Sequence, residues 1–464
     1  MYKIDFNHPV KVYFVGIGGI SMSGLAELLQ DAGFTVSGSD RSRSELTEIL
    51  ESKGIPVFYG QRKENITPDI DVAVFTSAIG KDNPEYIAVR ELGIPELSRA
   101  ELIGQIMKNY DYPIAVSGTH GKTTTTSMIS EVLLRAEKDP TLTVGGMLPS
   151  IGGNLRIGHS PYFVAEACEY TNSFLSFFPR IGLILNVEAD HLDFFKDLED
   201  IRHSFHRFAQ LLPADGTLII RADIPDYREL TEGVSARVIT FGMSSTDAYG
   251  DPVDYYPEEI SYDRSGCGSF VCRGRGEGQV VTLSVPGEHN ILNALATIAC
   301  ADALAVDRSF SVRALADFHG ADRRYQFKGE TGGVTIIDDY AHHPTEIAAT
   351  LKTAARAEHK TLWVAFQPHT YTRTKALLPE FAEALSHADK IVLADIYAAR
   401  EKNTIGISSQ DLQKEIQKRG KECYYFPSFE EIEKFLSENC RKGDLLITMG
   451  AGDIYKVGES LLGK

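Results

Sequence analysis

No stretch of the 464 residues approaches the ~18 consecutive apolar positions that a membrane-spanning helix needs. The start, Met1 to Val10, also lacks the apolar core of a secretory leader, so the expected location is the cytoplasm. The six cysteines, Cys168, Cys267, Cys272, Cys300, Cys423 and Cys440, include no pair of close CxxC elements. That pattern indicates neither a cysteine zinc site nor a disulfide framework, and the thiols read as reduced. Positive charge is in deficit: 47 Lys plus Arg face 64 Asp plus Glu, a net of -17. Such a balance disfavours general binding to nucleic acid or to an anionic membrane, and an anionic substrate must meet cations concentrated locally. There is no short-period repeat and no low-complexity tract.

With 43% hydrophobic and 24% charged residues the chain reads as soluble and globular. At about 100 to 200 residues per domain its length suggests three domains. Short β-branched runs alternate with helix-period segments, which predicts an α/β protein of parallel sheets flanked by helices. The pattern restarts three times. The first unit, 1–109, begins with the strand Val12 to Val15, continues through strands near Thr35 to Ser37 and Val72 to Phe75, and ends in the amphipathic segment Ala100 to Met107. Asp111, Tyr112 and Pro113 read as a hinge. The second unit, 110–322, begins with Ile114 to Ser117 and continues through Tyr162 to Ala165 and Ile181 to Val187. Its Gly-, Asp- and Ser-rich tail, Ser244 to Gly278, suggests turns and antiparallel strands before the helical stretch His289 to Leu304. The third, 323–464, begins with Val334 to Ile337, followed by Thr361 to Phe366, Lys390 to Ala394 and Leu445 to Thr448.

The most informative segment is Gly118-Thr119-His120-Gly121-Lys122-Thr123, between an apolar strand and the helical pattern Thr124 to Ala136. Such a turn points backbone N–H groups and the positive end of a helix at an anion. Lys122 supplies a mobile cation for outer phosphates, and the Thr123 hydroxyl can ligate Mg2+. Val116 stands where the general phosphate-loop pattern has its first glycine; a Gly-rich turn with a surface lysine is the competing reading. A cation bridging phosphates wants hard oxygen ligands. Glu166 ends one strand and Asp190-His191 follows another, so both face the sheet edge that carries the loop. Near the start, Gly16-Ile17-Gly18-Gly19-Ile20-Ser21-Met22-Ser23-Gly24 joins strand to helix, with Asp40 about 20 residues on, which resembles a dinucleotide fingerprint. Ser21 replaces its third glycine, so a diphosphate-bearing substrate competes with NAD.

Later segments are more ambiguous alone. In Gly287-Glu288-His289-Asn290-Ile291-Leu292-Asn293, spacing makes Asn290 a cap and Asn293 a surface residue. Arg323-Arg324-Tyr325 falls at a unit boundary, where closure could bring a guanidinium onto a phosphoryl group; a solvated basic turn is the alternative. Asp338-Asp339-Tyr340-Ala341-His342-His343-Pro344 and Gln367-Pro368-His369-Thr370-Tyr371-Thr372-Arg373 each place titratable groups at a strand's carboxyl end.

Taken in order, the phosphate loop, Glu166, Asn186-Val187-Glu188-Ala189-Asp190-His191, His289 to Asn293, Arg323 to Gln326 and Asp338 to Pro344 resemble the Mur ligases over the whole chain. The Gly16 to Gly24 run, Gly118 to Thr123 and His369 to Thr374 look like the alanine-adding branch. The resemblance implies a Rossmann-like N-terminal domain for a UDP moiety, a central P-loop ATPase-type domain and a Rossmann-like C-terminal domain that closes over the site. It implies ATP and Mg2+ as cofactors, UDP-N-acetylmuramate and L-alanine as substrates, and a monomer or homodimer. On that resemblance Lys122, Arg324 and His343 are catalytic. Gly118, Thr119, Gly121, Lys122, Thr123, Thr124, Asn293, Arg324 and Asp339 bind ATP. Thr123, Glu166 and His191 hold the metal, and Gly16, Gly18, Gly19, Ser77, His343, His369 and Arg373 lie on the substrate side. Several family members carry a carbamylated lysine near the position of Phe205; the alanine-adding branch lacks it. Thr370 stands where that branch often has arginine. The implied reaction runs through an acyl phosphate. A sister ligase that adds a murein tripeptide, an NAD-dependent dehydrogenase and a non-catalytic nucleotide-binding regulator are the rival readings.

Overall fold

A computed structural model describes residues 2–464 apart from Ser77, Asp193, Arg275 and Arg400. Its architecture is mixed α/β with four sheets among the described residues. In the five-stranded sheet the order is Val57–Tyr59, Thr35–Asp40, Lys11–Val15, Val72–Phe75, Glu96–Ser98, every neighbouring pair parallel. The order reverses beside Lys11–Val15, which sets the loop Gly16–Gly19 at the crevice where such sheets bind ligands.

The seven-stranded sheet centres on Tyr112–Ser117, flanked by Ile181–Ile184 on one side and Tyr162–Glu166 on the other, both parallel. Ile114, Ala115 and Val116 are fully buried, as a parallel strand covered on both faces requires. A three-stranded antiparallel sheet, Tyr256–Tyr262, Cys267–Arg273 and Gln279–Pro286, accounts for the Gly- and Ser-rich tail, and the helix Glu288–Ala303 follows it. The six-stranded sheet is parallel except for its edge strand Gln326–Thr331, and it carries Val334–Asp339 and Leu362–Phe366.

The expected hinge is absent. Tyr112 and Pro113 begin the central strand, paired with Tyr162 and Phe163, and Tyr112 N–H donates to Pro161 O at 2.9 Å. Pro113 is tolerated there because the first residues of a strand can forgo a ladder donor. The first and second units also share one apolar cluster, running from Val12 and Phe14 to Phe174, Phe205 and Phe208. Gly104 on the helix Arg99–Met107 lies so close to this seam that a Cβ would stand 1.9 Å from Ser176 O.

Phe205, on the helix Leu198–Ala209, is fully buried in that seam and meets Phe174 edge-on at 5.3 Å between ring centres. A phenylalanine so placed fills volume rather than presenting a charged group to the site. Phe205→Ala should cost about 3 to 5 kcal/mol of unfolding free energy in urea titration; a loss under ~1 kcal/mol would contradict the packing.

Candidate active site

The loop after the central strand is built around two glycines that nothing else could replace. Gly118 has φ +144°, and a Cβ there would meet Leu185 Cβ at 3.0 Å; Gly121 has φ +83°, and its Cβ would meet Asn293 Oδ1 at 2.8 Å. Val116 lies inside the strand, fully buried, so this loop starts two residues later than the general pattern. A second segment clasps it. Asn186 Oδ1 accepts from His120 N–H at 2.7 Å, Asn186 Nδ2 donates to His120 O at 3.0 Å, and Glu188 N–H donates to Thr119 Oγ1 at 2.9 Å. Asn186 and Glu188 were visible only as part of a run; their role as a clasp emerges from the fold.

At the start of the helix Lys122–Arg135, the Lys122 ammonium donates to Gly118 O at 2.5 Å, Thr119 O at 3.0 Å and Glu169 Oε2 at 3.0 Å. Burial by itself would push the ammonium toward neutrality, but Glu169, 2% exposed, outweighs it and holds the pKa above the ordinary lysine range. Nothing in the sequence singles out Glu169, which stands three residues beyond Glu166, the last residue of the strand Tyr162–Glu166. Beside it Thr123 Oγ1 donates to Glu166 Oε2 at 3.2 Å, and Arg324 Nη2 donates to Thr123 Oγ1 at 3.3 Å. Gly145 closes the Glu166 side: its N–H donates to Glu166 Oε1 at 2.5 Å, and a Cβ would stand 2.5 Å from Glu166 Oε2. His191, at φ +53°, stacks on Tyr170 and lies 3.9 Å from Glu169 Oε1. Among the described residues no ion pair joins it to Glu166.

The paired arginines point to different partners, with left-handed backbone at Arg323 (φ +61°) and Tyr325 (φ +49°) on either side of Arg324. Arg323 donates to Asp338 Oδ2 at 2.9 Å and Gly450 O at 2.7 Å, within the third unit, while Arg324 reaches back to the phosphate loop. Asp339 accepts from Ala341 N–H at 2.7 Å and Thr350 Oγ1 at 3.1 Å; burial raises its pKa to about 6. Asn293 is not a surface residue: it is 6% exposed, donates to Asn290 Oδ1 at 3.0 Å and faces the loop. Asn290 does not cap the helix, whose N-cap is Gly287; its amide donates instead to Pro286 O at 2.7 Å.

These groups line a cavity of about 450 Å³ that includes Thr119, Gly121, Lys122, Thr123, Thr124, Glu166, Asn293, Arg324 and Asp339. A second, of about 570 Å³, is lined by His369, Thr370, Arg373, Tyr170 and Glu401. Asp190, His191 and His342 line both, so the two spaces meet there. Arg373 Nη2 donates to Asp190 Oδ1 at 3.1 Å, tying the third unit to the second. Thr370 caps no helix donor; Glu401 does, accepting from Tyr371 N–H at 2.7 Å and Thr372 N–H at 3.0 Å. Gly118 and His343 line neither cavity: Gly118 presents its carbonyl to Lys122, and His343 is buried at the start of the helix Pro344–Ala354. Gly16, Gly18 and Gly19 also lie outside both spaces. Gly18 N–H donates to Asp40 Oδ2 at 2.8 Å, which engages Asp40 with the loop itself, and Ser77 lies outside the described residues.

Three family models match in order: the "Mur ligase family, catalytic domain" over residues 11–111, the "Mur ligase middle domain" over 116–301 and the "Mur ligase, glutamate ligase domain" over 323–452. The chain belongs to the Mur ligase family. This Mur ligase is accordingly an ATP-dependent ligase. It is 59% identical to a UDP-N-acetylmuramate–L-alanine ligase of Agathobacter rectalis, with all of both chains covered, and 49% identical to one of Acetivibrio thermocellus, over 99% of this chain and 97% of the other. Among solved structures, a UDP-N-acetylmuramate-alanine ligase of Thermotoga maritima matches with a TM-score of 0.79 at 31% identity, covering 98% of each chain. A murein peptide ligase of Psychrobacter arcticus matches with a TM-score of 0.69 at 25% identity over the same share. No helix among the described residues is long and apolar enough to cross a membrane.

Burial holds His342 and His369 near a pKa of about 4, against 6.5 ordinarily; Arg373 adds to the effect on both. The unfolded chain takes up these protons near pH 6.5 while the folded one refuses them until about 4, so both rings make stability fall as pH drops through that window. Asp339, at about 6, acts in the opposite direction between about 4 and 6. The difference between wild type and His369→Asn isolates one ring: the variant should lose less thermal stability on going from pH 6.5 to 4.5. An identical loss would show that His369 is not held neutral.

Proposed function

We propose that the protein joins L-alanine to the lactyl carboxylate of UDP-N-acetylmuramate, with ATP cleaved to ADP and phosphate. The observation that carries this reading is the meeting of two cavities at Asp190, His191 and His342, one lined by the phosphate loop and Arg324 and the other by His369 and Arg373. A carboxylate is a poor acyl donor at neutral pH because an amine attacking it would have to expel oxide. In the proposed reaction a carboxylate oxygen bonds to the γ-phosphorus while the bond to ADP breaks. The amine nitrogen of L-alanine then bonds to the acyl carbon, orthophosphate leaves with the former carboxylate oxygen, and the amine gives up a proton. Lys122 and Arg324 would balance charge on the moving phosphoryl group, which is the main service a protein offers a loose transition state. Thr123 and Glu166 supply the hard oxygen donors that suit Mg2+, with His191 the remaining expected ligand. Bound there, Mg2+ would neutralise the outer phosphates.

Asn293 and Asp339 take the ATP side in this reading, and Gly16, Gly18, Gly19, Ser77, His369 and Arg373 the nucleotide-sugar side. His343, expected on the resemblance to take the amine proton, is buried outside both cavities and is given no part in this reaction. The unit boundaries are proposed at 109/110 and 322/323, and the chain acts in the cytoplasm as a monomer or homodimer. Among solved structures the alanine ligase matches at 31% identity and a TM-score of 0.79 against 25% and 0.69 for the murein peptide ligase, which favours the alanine-adding reading.

ADP release should require UDP-N-acetylmuramate and L-alanine together, and should be slow when the murein tripeptide replaces L-alanine; equal or faster release with the tripeptide would favour the sister activity. In the same assay Lys122→Ala should lower kcat by at least ~100-fold, and unchanged turnover would refute its assignment.

A further inference from the structure

His120, Glu188 and His343 meet at the junction of the second and third units, outside the set Thr123, Glu166 and His191. One donor atom from each lies within 4.8 Å of the other two, and no other such group of three occurs among the described residues. The two imidazoles are oriented alike. His120 Nδ1 faces the Glu346 carboxylate at 3.1 Å, and His343 Nδ1 accepts from Thr345 N–H at 3.4 Å. Both Nε2 atoms are buried without a hydrogen-bond partner, and His343 as a whole is 6% exposed. Glu188 Oε2 stands 3.5 Å from His120 Nε2, a Coulombic contact rather than a hydrogen bond. Glu188 is the most open of the three, with its side chain 37% exposed, and it lines the phosphate-loop cavity together with His120, which gives an ion its approach.

A metal-bound histidine usually directs its second ring nitrogen at a carboxylate, which fixes the ring and raises its basicity. Glu346 stands in that relation to His120. Its place is set independently: it accepts from His342 N–H at 3.1 Å and His343 N–H at 3.4 Å, at the head of the helix Pro344–Ala354. Two imidazoles and one carboxylate form a borderline donor set, better matched to zinc than to magnesium. Zinc bonds of about 2.0 to 2.2 Å place tetrahedral donors about 3.4 Å apart. His120 and Glu188 already have that spacing, and His343 would close the remainder by a movement of about 1.4 Å or less.

We propose that His120, Glu188 and His343 form a binding site for a divalent cation of the zinc class, which on binding clamps the phosphate loop to the histidine turn of the third unit. The ion takes the place of any proton on His120 Nε2, which leaves to solvent. It also shifts the His343 proton from Nε2 to Nδ1, at the expense of the long contact from Thr345. The clamp stands whether or not the proposed substrates are correct, since it concerns only these side chains.

The test is calorimetric titration of the full chain with Zn2+ in excess Mg2+, free of nucleotide. Wild type should bind one equivalent; Glu188→Gln and His343→Ala should each weaken that binding by tenfold or more, while Glu166→Gln changes it by less than twofold. Glu188→Gln alters a partly exposed side chain, and a thermal midpoint matching wild type without metal checks that it is folded. The proposal is overturned if wild type takes up no zinc, if folded Glu188→Gln binds it as wild type does, or if Glu166→Gln loses it, which would place the ion among the phosphate-site oxygens.

Discussion

A lysine ammonium buried against its own phosphate loop must be compensated, and much of the site's construction answers to that constraint. Lys122 finds two loop carbonyls and the Glu169 carboxylate. For those carbonyls to turn inward, the loop must take backbone conformations that only Gly118 and Gly121 adopt without strain. For the loop to keep that shape, Asn186 must hold His120 from both sides. An incoming triphosphate offers the ammonium stronger partners than neutral carbonyls, so the arrangement is a preset cation whose ligands can be exchanged.

The third unit completes the site through a few long-range contacts rather than through a broad apolar seam. Arg324 reaches Thr123, Glu346 reaches His120, and Arg373 reaches Asp190. Thr123, Glu346 and Arg373 sit in the first turns of helices that follow strands, Arg324 just precedes the edge strand Gln326–Thr331, and His120 and Asp190 lie in loops beyond strand ends. Parallel sheets collect polar side chains at their carboxyl ends, and two such ends facing one another give the paired cavities that meet at Asp190, His191 and His342. The first unit behaves differently. Its core is continuous with that of the second across Gly104 and Phe174, which is why the segment read as a hinge is a strand.

Much of this was legible in the sequence because it is local. Alternating apolar runs fix parallel strands, and a glycine-rich turn between strand and helix fixes a phosphate loop. The ordered motifs carried the family. The rest depends on distance in the chain. Spacing made Asn293 a surface residue; its burial reflects the close approach of Gly121, 172 positions earlier, to its side-chain amide. Asn186 sits in an informative run and Glu169 stands just beyond Glu166, yet what they hold lies 66 and 47 residues away. Thr370, expected to leave a cation missing, stands at a twisted backbone position of φ +64°, and Glu401, 31 positions on, takes the neighbouring N–H groups. No periodicity encodes such pairings.

The proposed chemistry turns on a carboxylate becoming a phosphoryl acceptor. With the lactyl carboxylate of UDP-N-acetylmuramate labelled in oxygen-18, a single turnover with ATP and L-alanine should deliver one labelled oxygen to the released orthophosphate, read by mass spectrometry. Orthophosphate carrying no label while the amide forms would contradict it.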